Sequence, residues 1–156
     1  MFDSIVVGTD GSESASIAVQ RATALAAMTS ATLHIVYGCR SVLLGNVAMA
    51  ASTGAPVVDV EQVNRSIALE GEQVCEHAAS HARRQGVGVE IHVVNADPAD
   101  ALVGVAVDVG ADLLVVGNRG MSGARRFVLG SVPNKVSHHC PCSLLIVDTR
   151  TAAPAT

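Results

Sequence analysis

Five short runs dominate the pattern of this chain: residues 4–8 (SIVVG), 33–37 (LHIVY), 89–94 (VEIHVV), 112–117 (DLLVVG) and 143–148 (SLLIVD). They are rich in β-branched and aliphatic residues, and most are nearly continuous in apolar character, which predicts strands buried on both faces of a parallel sheet. Between them the spacing turns helical. Residues 12–29 carry Ala15, Ala18, Ala22 and Leu25 on one face, and 60–85 carry Val60, Val63, Ile67, Val74 and Ala78 on another. Residues 98–109 and 131–140 give a third and fourth helix. The order βαβαβαβαβ predicts an open doubly wound sheet with right-handed crossovers and ligands at the carboxyl ends of its strands.

Local punctuation agrees with this division. Gly86 and Gly88 follow the long helix, and Asp97-Pro98 supplies a cap and a first turn for the next one. Residues 38–58 are apolar, glycine-containing and long for a connection, which suggests a lid or an interface loop. Domain boundaries are expected at 1–148, with 149–156 a disordered tail.

Composition narrows the partners. At 156 residues, 49% hydrophobic and 15% charged, the chain has the size and core of one globular domain. Aromatics make up 2%, so stacking platforms for nucleobases are nearly absent, and a net charge of −4 lacks the spread positive field of a nucleic-acid or anionic-membrane binder. The amino terminus lacks the basic and long apolar regions of a signal peptide, and no apolar run approaches the roughly 18 to 20 residues of a spanning helix. A cytoplasmic protein with reduced Cys39, Cys75, Cys140 and Cys142 is the expectation.

Against that acidic background, residues 115–135 (VVGNRGMSGARRFVLGSVPNK) contain no carboxylate. Gly117 ends the fourth strand, and Gly120 and Gly123 recur in the loop behind it, where glycine lets bare backbone N–H groups approach a ligand. Gly130-Ser131 then opens the last helix, whose amino terminus offers unpaired N–H groups and partial positive charge to a phosphate. Arg119, Arg125, Arg126 and Lys135 add four of the chain's ten formal positive charges. The spacing is that of neither the P-loop nor the dinucleotide fingerprint.

The pattern Gly117-x-x-Gly120, nine residues, then Gly130-Ser131, with VVGTDGS at the first strand and HCPCSLLIV at the last, resembles the ATP-binding branch of the universal stress protein family over residues 3–148. The resemblance implies a five-stranded sheet of order 3-2-1-4-5 with four helices, of the adenine nucleotide alpha hydrolase-like kind. It implies binding of ATP or a related adenine nucleotide, and a homodimer formed through the last strand. It places Gly8, Thr9 and Asp10 near the ribose, with Asp10 a candidate ligand of a divalent metal such as Mg2+. Backbone at Val36 would face the adenine, with Ala96 beside the base. Val116 and Gly117 would line base and ribose, Gly120 and Gly130 would approach the phosphates, and Ser131 and Val132 would supply donors. Arg119, Arg125 and Arg126 join this cofactor-binding set through their charge. Pro133 removes one N–H from the same turn.

Asp10 reads equally as a turn or cap residue from Asp-Gly-Ser alone. His138, His139, Cys140 and Cys142 lack zinc-knuckle spacing and read as a helix end stopped by Pro141. His77 and His81, one turn apart, read as a solvated face, and Arg83-Arg84 as a helix-dipole pair. No catalytic constellation emerges, so ATP hydrolysis is expected to be slow at most. The expected function is a nucleotide-dependent sensor or regulator in stress response with an unidentified protein partner. The alternatives are a weak ATPase or adenylyl-transferring enzyme, for which VVGTDGSES is a loose echo, and a nucleotide-free dimeric interaction protein.

Overall fold

The computed structural model describes residues 1–41, 54, 59–118 and 129–149. Five strands, β1 (Ser4–Gly8), β2 (Thr32–Cys39), β3 (Val89–Asn95), β4 (Leu113–Gly117) and β5 (Ser143–Val147), alternate with four helices, α1 (Glu13–Thr29), α2 (Val60–Arg84), α3 (Pro98–Asp108) and α4 (Ser131–His139). All pairings are parallel, and the sheet order is β3-β2-β1-β4-β5. This is the order that the resemblance implies. The chain winds outward from β1 to β3 in one direction, then returns to the other side of β1 and continues to β5, so its direction reverses between β1 and β4.

Burial on both faces explains the apolar runs. Alternate residues of a strand point to opposite faces. Ile5, Val7, Leu33, Ile35 and Val115 therefore pack under α1 and α2, while Val6, Val36, Leu114 and Val116 pack under α3 and α4. Small helix residues allow the layers to approach closely: Ala18, Ala22 and Ala26 in α1, Ala79 and Ala82 in α2, and Ala99 and Ala106 in α3 are at most 1% exposed.

The long helix differs from its sequence reading in one respect. The apolar stripe Val60, Val63, Ile67, Val74 and Ala78 is only half-buried or flanking, and the buried line is Gly71, Cys75, Ala79 and Ala82. At 1.5 Å per residue α2 is roughly 37 Å long and outruns a strand of seven residues, about 23 Å. Only its carboxyl-terminal part is buried against the sheet, and that part is built of small residues. β2 also extends past the expected end at residue 37 to Cys39, because Gly38 and Cys39 pair with Val94 and Asn95 of β3. Residues 42–53 and 55–58, most of the segment read as a lid, lie outside the described residues. So do 150–156 of the expected tail, but Thr149 is 6% exposed and hydrogen-bonded to Asn118.

Candidate functional site

Three of the four helices are capped by a side chain. Ser12 accepts from the Ala15 N–H at α1, Asp59 from the Glu61 and Gln62 N–H groups at α2, and Asp97 from the Ala99 N–H at α3. The fourth is different: α4 starts at Gly130, which has no side chain to cap it. Among the described residues no side chain caps its first-turn N–H groups, which lie at the end of the sheet where the strands finish.

A cavity of about 130 Å3 lies there, lined by Gly8, Thr9 and Asp10 after β1, Val36 and Gly38 in β2, Val116 and Gly117 in β4, and Gly130, Ser131 and Val132 at the start of α4. It sits at the carboxyl ends of β1 and β4, where the winding reverses, which is the place where doubly wound sheets bind ligands. Of the residues singled out in the sequence, Gly8, Thr9, Asp10, Val36, Val116, Gly117, Gly130, Ser131 and Val132 all reach this wall. Ala96 is not among the lining residues and packs against the apolar cluster beneath α3. Arg119, Gly120, Arg125 and Arg126 lie outside the described residues. Ala15, Gly38, Pro98, Leu102 and Pro133 also line the cavity. Of these only Pro133 has a sequence rationale, since the others come from helix starts and a strand end whose convergence needs the fold.

Backbone geometry explains how the wall is held. The Thr9 N–H donates to the Val36 carbonyl at 3.0 Å, carrying the β1–β2 ladder one residue past Gly8. That carbonyl is therefore already engaged, and the Val36 side chain supplies an apolar wall. A Cβ on Gly38 would stand 2.6 Å from the Cα of Pro98, so only glycine lets α3 start this close to β2. Asp10 makes an Asx turn: its Oδ1 accepts from the Ser12 N–H at 2.9 Å, which leaves Oδ2 as the oxygen a cation could share.

Asn118 is a residue that sequence reasoning passed over. Its N–H donates to the Val147 carbonyl and its own carbonyl accepts from the Gly130 N–H, at 2.8 and 3.1 Å. Its side chain donates to Asp148 and accepts from both the N–H and the hydroxyl of Thr149. It thereby ties the end of β4 to the end of β5 and to the start of α4. Asn between glycines looks like a turn residue in sequence, so its role had no separate signal.

Lys135 is engaged by carboxylates. Its Nζ is 3.2 Å from Asp97 Oδ1 and 2.8 Å from Asp100, so it clips α4 to the start of α3. Burial pushes the Asp97 carboxyl up, but hydrogen bonds from Lys135 and the Ala99 N–H, with the charges of Lys135 and Arg40, outweigh it and hold the group below the usual carboxylate range. Cys75 and Cys142 are poor nucleophiles. Burial pushes the Cys75 thiol up to about 11, and burial together with Cys140 does the same to Cys142.

A larger groove of about 610 Å3 runs between α1 and α2, lined by Gln20, Glu70, Gln73, His77, His81 and Arg84 among others. It shares only Thr9 with the cavity and has no converging strand ends or uncapped helix start. The smaller cavity therefore has the features of a ligand site. Among the described residues no helix is long and apolar enough to cross a membrane.

Comparison with known proteins agrees with this architecture. Universal stress protein YxiE of Bacillus subtilis is 32% identical over 147 residues, covering 94% of this chain and 99% of that protein. A crystal structure of a universal stress protein in complex with cAMP is 35% identical with a TM-score of 0.68, covering 96% of this chain and 98% of the other. Universal stress protein UspA of Lactobacillus plantarum, 18% identical with a TM-score of 0.77, shares the fold over 93% of this chain and 97% of its own. The profile of the universal stress protein family matches residues 1–148, and the chain belongs to that family.

Proposed function

We propose that this protein binds an adenine nucleotide, ATP in the first instance, in the cavity between β1 and β4, and that it acts as a nucleotide-dependent regulator in stress response. The observation that carries the reading is the convergence of Gly8, Val116 and Gly117 on an α4 amino terminus that no side chain caps. The apolar part, Val36, Leu102, Val116 and Val132, suits a base and ribose, and the uncapped turn suits the phosphates. The cAMP complex of a relative 35% identical supports an adenine nucleotide as the ligand class.

In this reading the Ser131 hydroxyl and the first-turn N–H groups donate to a phosphate, and the positive charge of Arg119, Arg125 and Arg126 favours its binding. Asp10 would be the protein ligand for Mg2+ carried in with the nucleotide, an ion that needs few protein ligands when phosphate oxygens complete its shell. Bound Mg2+ would screen the phosphate charge, while the chain's own residues orient the nucleotide. The regulator works in the cytoplasm as a homodimer. β5 is an edge strand whose Leu144, Leu145 and Ile146 are only partly buried, and an apolar edge of this kind invites pairing with its own copy. The domain ends near Thr149.

The test is to purify the protein without added nucleotide, denature it, and identify what is released by chromatography and mass spectrometry, with Gly120→Val as control. ATP or a relative released by the parent and not by the variant supports the reading. An empty protein that also fails to take up added ATP with magnesium refutes it.

A further inference from the structure

One side-chain cluster away from the cavity has no part in the function just proposed. In the β2–β3 pair His34 lies opposite Glu90, and Val36 lies opposite His92. His34 and Val36 share a face by alternation, as do Glu90 and His92, so the three polar side chains meet on the face that packs under α3 and α4. His34 Nδ1 is 3.1 Å from His92 Nε2 and 3.5 Å from Glu90 Oε2, and all three ligand atoms lie within 4.8 Å of one another.

We propose that His34, Glu90 and His92 form a binding site for one divalent transition-metal ion, of which Zn2+ is the best match. A tetrahedral zinc with Zn–N bonds of about 2.0–2.1 Å holds neighbouring ligand atoms roughly 3.3–3.4 Å apart. The two separations around His34 Nδ1 straddle that value. Two imidazoles and a carboxylate are a borderline N/O set, which selects zinc and its first-row neighbours over Mg2+ or Ca2+. The burial gradient also fits. His34 is buried, His92 is half-buried and the Glu90 side chain is 63% exposed, so the ion is anchored from the inside and keeps a coordination position open to water.

Without metal the two rings share a hydrogen bond, one nitrogen donating and the other accepting. Metal binding requires lone pairs from both nitrogens, so the donating ring moves its proton to its other nitrogen. Burial lowers the His34 pKa, His92 adds to that and Glu90 opposes it, which keeps the buried ring neutral and able to coordinate at neutral pH. His34 stands two residues before Val36, so an ion here would pin β3 to the strand that walls the cavity.

The experiment is titration of ZnCl2 into tag-free, metal-stripped protein against a chelating dye, with Co2+ absorption as the spectroscopic signature. All proteins carry Cys140→Ser, because the Cys140 and Cys142 sulfurs are 3.9 Å apart and could take zinc themselves. One equivalent bound at micromolar zinc, with the intense bands of four-coordinate cobalt, is expected. His92→Gln and the surface change Glu90→Gln should each weaken zinc by at least about tenfold, with the cobalt bands lost in His92→Gln. Absence of zinc binding at micromolar concentration, or binding in both variants equal to the parent, overturns the assignment. Neither outcome bears on nucleotide binding.

Discussion

Single residues show where sequence spacing stops informing. His34 and His92 are 58 positions apart in the chain and meet only through the β2–β3 register, which no local pattern encodes. Lys135 illustrates the converse. Its place among the arginines suggested a phosphate partner, yet its ammonium is taken by Asp97 and Asp100. Asp10, Gly117 and Gly130 were legible because strand ends and helix starts leave local marks, whereas Gly38 was not, since the Pro98 backbone that forbids a side chain there is about 60 residues away. Burial first, and then His92, lower the His34 pKa against the pull of Glu90, so below the ordinary value of 6.5 the unfolded chain takes up a proton more readily than the folded one. The stability gained from keeping His34 neutral is present above pH 6.5 and lost as pH falls through the lower folded value. Urea unfolding with chelator present should show this decline, and His34→Gln should flatten it. An unchanged slope in the variant would assign the pH dependence to other groups.

Elements were more legible than contacts. All five strands and four helices were readable within a few residues, since a chain that alternates apolar β-branched runs with helical spacing has few parallel solutions. The buried line of α2 was misplaced because small residues form it, and small residues carry little hydrophobic signal. Gly71 is central to that line: a Cβ there would stand 2.7 Å from the Tyr37 ring and 2.9 Å from Val93. Gly71→Ala should therefore lose about 1–3 kcal/mol by pushing α2 off β2 and β3, despite alanine's better helix propensity. Stability equal to or above the parent in urea would show that Tyr37 moves aside freely. The last strand offers a second check. Ser143 N–H and Val147 carbonyl point to the β4 side, so alternation turns the Leu144 and Ile146 N–H groups outward. Ile146→Pro removes an outward donor and leaves the β4 ladder intact, so it should shift a β5-paired dimer to monomer in sedimentation. A dimer that persists would place the interface elsewhere.

At the scale of the whole molecule, the reversal of winding between β1 and β4 puts α1 and α3 on opposite faces of the sheet and leaves a cavity where three strands and three helix starts converge. The proposed function rests on that topology more than on any one side chain. Asn118 then couples the cavity floor to β5 through Val147, Asp148 and Thr149, so the proposed nucleotide site and the strand proposed to pair between subunits share one hydrogen-bond network. Such a link would let a bound nucleotide bias the dimer surface, provided that the two arrangements differ in affinity. The most direct test of the account is equilibrium binding of ATP with magnesium to the parent and to Gly117→Val, whose fold is checked by circular dichroism. Saturable one-to-one binding by the parent is expected, with at least a hundredfold loss, about 2.7 kcal/mol, in the folded variant, because Gly117 is part of the cavity wall. A folded Gly117→Val protein that binds ATP as tightly as the parent would contradict it.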